Sequence, residues 1–456
     1  MRKWSAKRIA HIVNGEVQGN EDAIVERVIL DSRKSQTGDL FVPLCGENFD
    51  GHRFLNNAFE NGASVAFSKP KMEISNLGTT IIVDNPLLAL QQLGTAALNE
   101  VKPQVVAVTG STGKTSTKEM IYAILSQRFN TFKTKGNLNS EQGLPMALYS
   151  LQEQDEIAVL EMGMRGRGQI TELVNIAKPD IAVITNIGTV HLELLGSQEN
   201  LALAKGEILE GINKNGLAVL NGDDKWCRWL SENHTGKMVF YGLSEKCDIR
   251  AVNLQIDSLG RYSYNIHSGS SEVTIKLPIP GKHHVYNSLA AIAIALHLGM
   301  SWDEIIAGVS SYKTISGRQL TKVCAGVTVI DDSYNSNPQS IRAGLELLKL
   351  HPTTGKRIAV LGDMRELGDQ AIQSHLFVGE QLFQYKVDIL ICNGALGAYI
   401  GQGAQKYTDI KIYYTDNNQQ AVKQLKNITQ AGDVVLIKGS RGLQMEHIVS
   451  DFCKGL

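Results

Sequence analysis

A β-branched apolar run, Val105-Val106-Ala107-Val108, leads directly into Thr109-Gly110-Ser111-Thr112-Gly113-Lys114-Thr115-Ser116. Four β-branched or small apolar residues in a row predict a strand buried on both faces, as in a parallel sheet. Met120, Ile121, Ile124 and Leu125 then fall at helical spacing. Strand, glycine loop and helix together form a phosphate cradle. Glycines let successive backbone N–H groups turn inward, and the helix N-terminus adds its dipole. The pattern is the shorter Gly-x-x-Gly-Lys-Thr form, because Val108 stands where the full eight-residue P-loop takes glycine. In this reading Gly110, Ser111, Thr112, Gly113, Lys114, Thr115 and Ser116 bind ATP. Lys114 reaches the β/γ-phosphates and the Thr115 hydroxyl ligates Mg²⁺.

A chain of 456 residues exceeds one ordinary core, so several domains are expected. Lys+Arg number 45 against 46 Asp+Glu, a net charge of −1. That balance argues against a broad nucleic-acid or membrane surface and leaves room for local phosphate sites. Cys45, Cys227, Cys247, Cys324, Cys392 and Cys453 show no C-x-x-C pairing. They are expected to be reduced core thiols, with neither a disulfide framework nor a zinc site. Residues 1–15 lack the apolar segment of a signal peptide. The run Leu289–Leu298 is too short to span a bilayer. A cytoplasmic protein without integral membrane contact is expected, and a monomer.

The predicted fold class is α/β in three domains. Residues 1–84 read as a small mixed α/β unit of short strands. Residues 85–317 read as a P-loop domain with a parallel sheet, in which Ile157–Glu161 and Ile181–Ile184 are further strands. Ligands collect at the carboxyl ends of such strands, so Glu161 and His191 can face the phosphate loop. Residues 237–279 change to an alternating pattern that suggests an antiparallel insertion. Residues 318–456 read as a Rossmann-like doubly wound domain. Its strands are Val327–Asp331, Arg357–Leu361, Val387–Cys392, Ile410–Tyr413 and Val434–Ile437, with helices near 338–350, 369–384, 417–428 and 443–450. It has no G-x-G-x-x-G fingerprint, which argues against a separate dinucleotide site.

Several motifs together resemble the Mur ligases of peptidoglycan synthesis. They are the phosphate loop, Glu161-Met162-Gly163, Ala204-Lys205-Gly206-Glu207-Ile208, Tyr286-Asn287, Ser316-Gly317-Arg318 and Asp331-Asp332-Ser333-Tyr334-Asn335-Ser336-Asn337-Pro338. The likeness runs from Asp31-Ser32-Arg33 to Lys438-Gly439-Ser440-Arg441. Asp50-Gly51-His52 and Leu361-Gly362-Asp363-Met364-Arg365-Glu366-Leu367-Gly368 with His375 are most similar to the branch that adds D-alanyl-D-alanine.

The resemblance implies an ATP-dependent amide-bond ligase with UDP-N-acetylmuramoyl-tripeptide and D-Ala-D-Ala as substrates and ATP and Mg²⁺ as cofactors. It implies that Thr115 and Glu161 hold one Mg²⁺, and that His191 and a carbamylated Lys205 serve a second. Lys114, Glu161, His191 and Lys205 would form the catalytic set. Asn287, Arg318 and Asp332 would complete the ATP site. Tyr334, Asn335 and Asn337 would lie near the reacting groups, and Asn137 would help hold the UDP-sugar. Ser32, Arg33, Gly46 and Asn48 would contact the uridine diphosphate, although Pro43 and Cys45 are unusual near that motif. Because the ATP-site residues fall in two domains, catalysis is expected to need domain closure, with hinges near 85 and 317. The alternatives are another Mur-type amino-acid ligase or a folylpolyglutamate synthetase. A GTP-hydrolysing switch protein is disfavoured, since Asn213-Lys214-Asn215-Gly216 has glycine where a guanine-reading Asp is needed.

Overall fold

Val105 and Ala107 point to one face of their strand, Val106 and Val108 to the other, and all four are buried. This two-sided burial explains the unbroken apolar run. The computed structural model describes residues 2–46, 49–70, 78–188, 195–268, 271–406 and 410–454. Within them the strand Gln104–Thr109 sits inside a nine-stranded sheet, paired in parallel with Ile157–Glu161 on one side and Ile181–Ile184 on the other. The chain leaves this strand to one side, returns, and then crosses it. Such a reversal opens a crevice at the carboxyl ends of the strands. One face of the sheet is covered by the helices Lys114–Leu125, His283–His297 and Trp302–Ser311, the other by Gly143–Tyr149, Gln169–Ile176 and Gln198–Glu210.

The expected antiparallel insertion at 237–279 needs correction. Lys237–Gly242 and Ile249–Ile256 continue the parallel order of the same sheet. Only Arg261–Ser268 and Ser271–Pro280 turn antiparallel, and they extend its edge. Buried Ala251, Tyr264, Ile266, Ile275 and Leu277 join the core beneath the helix His283–His297. The alternation was therefore that of an edge with one wet face, not of a separate module.

The first sheet runs Glu16–Gln18, Thr79–Ile82, Val65–Ser68, Asp39–Phe41, Arg27–Ile29. The helix Pro86–Val101 buries Ala89, Leu90, Leu93 and Ala97 in its core, while Leu98 belongs to the central core. Tyr149 joins the same contact. Its ring meets Trp4 edge-on at 5.4 Å, and its hydroxyl donates to Val25 O at 3.0 Å. The first and central sheets are thus packed through shared side chains.

The third sheet runs Leu320–Cys324, Val327–Asp331, Val434–Lys438, Arg357–Gly362, Ile389–Asn393, Lys411–Thr415. It has the doubly wound α/β form expected. Two elements were not foreseen. Leu320–Cys324 has three exposed positions and one buried one, so it lacks the apolar run of an inner strand. It forms an antiparallel edge beside Val327–Asp331. The helix Gly397–Gln405 carries three glycines, poor helix formers. Two of them are explained by packing. A Cβ at Gly403 would stand 2.2 Å from Leu376 O, and a Cβ at Gly401 2.7 Å from the Tyr414 ring.

The cysteines also depart from expectation. Cys324, on the edge strand, is bonded to Cys453 on the last helix, Glu446–Lys454. The link joins residues 129 apart, a separation that spacing rules do not reveal. Cys45 is exposed, whereas Cys227, Cys247 and Cys392 are buried thiols as expected. Closing so long a loop restricts the unfolded chain, so reduction should lower unfolding free energy by ~2–5 kcal/mol. Denaturant titration with and without dithiothreitol measures this, with Cys453→Ser as the reduced control. Identical midpoints in both conditions would refute the stapling role.

Candidate functional site

Two glycines shape the phosphate loop for separate reasons. Gly110 has φ +144°, and a Cβ there would lie 1.9 Å from Thr185 Oγ1. Gly113 has φ +80° and precedes the helix Lys114–Leu125, where a Cβ would press on Asn287 Oδ1 at 3.2 Å. L side chains rarely adopt either conformation. The loop is pinned from the neighbouring strand end. Thr112 donates through its N–H and its hydroxyl to Asn186 Oδ1, at 3.1 Å each. Asn186 Nδ2 and Thr185 Oγ1 donate back to Thr112 O, at 3.1 and 2.6 Å. The Gly188 N–H donates to Ser111 Oγ at 2.9 Å. The cradle is therefore held open by side chains of its own sheet.

This loop borders a cavity of about 1070 Å³ shared by the second and third sheets. Among the described residues, six cationic side chains line it against four acidic ones, although the chain as a whole is near neutral. The excess suits a polyanion. Lys114 lies at the cavity and donates to Gly110 O at 2.8 Å. Burial pushes its pKa down, and Arg318 adds to that.

Glu161 ends its strand at the cavity wall, 3% exposed. Its Oε1 accepts from Asn139 Nδ2 at 2.7 Å, and its backbone N–H donates to Thr134 Oγ1 at 3.1 Å. Its Oε2 is buried without a hydrogen bond, 4.0 Å from Lys118 Nζ. A carboxylate oxygen held this way is costly unless a cation completes it. Together with the Thr115 hydroxyl it offers the hard oxygen donors that Mg²⁺ takes, so these residues fit that ion.

Lys205 is 1% exposed, and its Nζ contacts Met164 Sδ at 3.4 Å. Burial, and the nearby Lys114 charge, push its pKa well below the usual lysine value. The amine is thus biased to its neutral, nucleophilic form.

From the third domain, Arg318 Nη2 donates to Thr115 Oγ1 at 3.2 Å, and the guanidinium stacks on Tyr334 at 4.1 Å from the ring centroid. Asp332 is buried, and its Oδ2 pairs with Lys438 Nζ at 2.8 Å. Lys438 also donates to Asn335 O at 2.8 Å. Asn287 accepts from Thr117 Oγ1 at 3.1 Å and faces His284 Nδ1 at 3.3 Å. Asn137, Tyr334, Asn335 and Asn337 also line the cavity. Asn337 accepts from the Ser340 N–H at 2.8 Å and so caps the helix Pro338–Leu350.

The first-domain candidates are elsewhere. Ser32 is buried and donates to Asn57 Oδ1 at 2.8 Å. Arg33 forks onto Asp31 at 2.9 and 3.0 Å. Gly46 lies on a short hairpin. None of these three lines the cavity. His191 and Asn48 lie outside the described residues.

Sequence reading missed His283, His284, Lys438, Arg165, Arg365 and Arg441, all on the cavity wall. Burial, with Lys438 beside it, pushes the His283 pKa down to about 4, and burial pushes that of His284 well below the ordinary value, so both rings are neutral at pH 7. Lys438 closes the strand Val434–Lys438, where an α/β sheet places ligand-binding groups. That position was the available signal.

Known proteins fit this geometry. Three family models cover most of the chain: Mur ligase family, catalytic domain, over residues 25–124; Mur ligase middle domain over 108–295; and Mur ligase, glutamate ligase domain, over 318–441. UDP-N-acetylmuramoyl-tripeptide--D-alanyl-D-alanine ligase of Bacillus subtilis is 38% identical over 99% of this chain and 98% of its own length. A crystal structure of MurF from Acinetobacter baumannii superposes with TM-score 0.90 at 31% identity, over 100% of this chain and 99% of that one. MurF from Thermotoga maritima, in complex with ADP, gives TM-score 0.81 at 32% identity, over 94% and 97%. Similarity of this extent, over nearly the whole chain in sequence and in fold, establishes that the chain belongs to the Mur ligase family.

Proposed function

We propose that the chain is the ligase that joins D-alanyl-D-alanine to UDP-N-acetylmuramoyl-tripeptide, with ATP cleaved to ADP and phosphate. End-to-end likeness to relatives of that name carries the reading. The buried Glu161 oxygen that lacks a hydrogen bond, on the cavity wall with the phosphate loop, supports it.

A carboxylate is a poor electrophile, so it must first gain a leaving group. The tripeptide's terminal carboxylate attacks the γ-phosphorus and ADP departs, which gives an acyl phosphate. The dipeptide amine attacks the carbonyl carbon, loses a proton, and the collapsing tetrahedral intermediate expels phosphate. Two anions must meet in the first step, so fixed positive charge lowers the barrier. Lys114 and the loop N–H groups take the β/γ-phosphates. Arg318, stacked on Tyr334 beside Thr115, brings a second cation from the third domain. Mg²⁺, held by Thr115 and Glu161, supplies further neutralisation when bound. Asn287 and the neutral His283 and His284 face the base, and Asp332 faces the ribose. Tyr334, Asn335, Asn337 and Asn137 serve the acceptor and sugar sides, with Ser32, Arg33 and Gly46 toward the uridine diphosphate. A reaction that consumes ATP and a UDP-linked precursor fits a cytoplasmic location.

Phosphate release from ATP tests the assignment. It should require both UDP-N-acetylmuramoyl-tripeptide and D-Ala-D-Ala and yield a UDP-pentapeptide. Turnover with another amino acid but not with the dipeptide would reject the branch.

The neutral bias of Lys205 favours reaction with CO₂ to a carbamate, which turns a cation into an oxygen ligand. Lys205→Ala should therefore lower kcat on the order of 10²–10³-fold, as for loss of one stabilising charge at the reacting groups. Bicarbonate should raise wild-type but not variant activity. Full activity of the variant would end the carbamate reading.

The shared core around Pro86–Val101 and Tyr149 ties the first sheet to the second and argues against the expected hinge near 85, which leaves the expected hinge near 317 to carry the motion. Small-angle scattering should show compaction when ATP and the UDP-tripeptide are both bound. An unchanged radius of gyration would refute closure.

A further inference from the structure

Cys45 stands just before the Asp50-Gly51-His52 motif, and the fold gives it neighbours. The hairpin strands Cys45–Gly46 and Phe49–Asp50 place Cys45 directly opposite Asp50. Asp50 then caps the 3-10 turn Gly51–Phe54, accepting from the His52 N–H at 3.0 Å, and this turns the imidazole back toward the hairpin. A Cβ at Gly51 would lie 2.7 Å from Leu44 O, so the turn is pressed against the strand that feeds Cys45. Three potential ligand atoms converge as a result. Cys45 Sγ is 3.3 Å from Asp50 Oδ1 and 3.7 Å from His52 Nδ1, and Asp50 Oδ1 is 2.7 Å from His52 Nδ1.

We propose that Cys45, Asp50 and His52 form a binding site for a soft divalent cation of the Zn²⁺ class. Ligand atoms on a tetrahedral Zn²⁺ stand roughly 3.3–3.7 Å apart, given bonds of about 2.0–2.3 Å, so the Sγ pairs already have that spacing, while Nδ1 and Oδ1 must part by about 0.6 Å, a rotation of the Asp50 carboxylate. Thiolate, imidazole and carboxylate are the donor set that selects Zn²⁺ or Co²⁺ over Mg²⁺. Cys45 is exposed, which gives entry and leaves a fourth position for water. His52 is 4% exposed, and its Nε2 has no hydrogen-bond partner, so no second contact fixes the tautomer. Binding to the neutral ring releases the thiol proton and moves the imidazole proton from Nδ1 to Nε2. Lys69 Nζ, 3.6 Å from Cys45 Sγ, competes with the cation for the sulfur. The site is separate from the phosphate-loop cavity, whose ligands are oxygens.

Cobalt makes the site visible. The full chain, stripped with chelator, is titrated with Co²⁺ and read in the near-ultraviolet, where thiolate-to-cobalt charge transfer absorbs and oxygen-bound cobalt does not. One equivalent should produce the band, and Zn²⁺ should displace it. Cys45→Ser should abolish the band while phosphate-loop binding of ATP persists. Asp50→Asn, which keeps the capping acceptor, should weaken binding by about tenfold or more. Lys69→Gln should tighten it. Zn²⁺ should also protect Cys45 from alkylation, read by peptide mass. No band, a band that survives in Cys45→Ser, or an Asp50→Asn affinity equal to wild type would overturn the proposal, the last marking an adventitious thiol only.

Discussion

Everything at the main site depends on how closely the phosphate loop approaches the end of the next strand. With Gly110 beside Thr185, no side chain can separate Thr109–Gly113 from Thr185-Asn186. The N–H and carbonyl of Thr112 are held by Asn186 and Thr185, and Ser111 Oγ accepts from the Gly188 N–H. An unpaired buried backbone group costs about as much as a lost hydrogen bond, so these partners keep the cradle formed in advance. Preorganisation of this kind spares the enzyme from ordering the loop when the nucleotide arrives.

The cavity extends that economy across two domains. The second sheet provides the loop, Glu161 and Asn287; the third provides Arg318, Asp332, Tyr334 and Lys438. Arg318 reaches across to Thr115, so the third domain already touches the loop. The first sheet shares its core with the second through Pro86–Val101 and Tyr149, and its residues Ser32, Arg33 and Gly46 do not line the cavity. Local charge also differs from global charge: a chain of net −1 gathers a cationic excess where phosphate chemistry takes place.

Elements with one strong physical signature were legible in the sequence. The phosphate loop, the parallel strands beside it and most of the third domain's alternation followed from apolar runs, glycine placement and helical spacing. The edge strand Leu320–Cys324 was hidden because edge strands can be polar on exposed positions. The helix Gly397–Gln405 was hidden because its glycines serve close packing against Leu376 and Tyr414 rather than helix propensity. The alternating stretch beyond 237 had the right local pattern, but pairing partners are not encoded in a local pattern.

The sequence by itself determined the strand–loop–helix cradle, the α/β layering and the family likeness, because each rests on residues near one another in the chain. Tertiary structure alone decided which distant groups meet. It set Lys438 on Asp332 and Arg318 on Thr115, left one oxygen of Glu161 without a hydrogen bond, dehydrated Lys205, joined Cys324 to Cys453 and turned His52 toward Cys45. These are consequences of burial and of long-range closure, and both depend on the packing of the whole chain rather than on spacing along it.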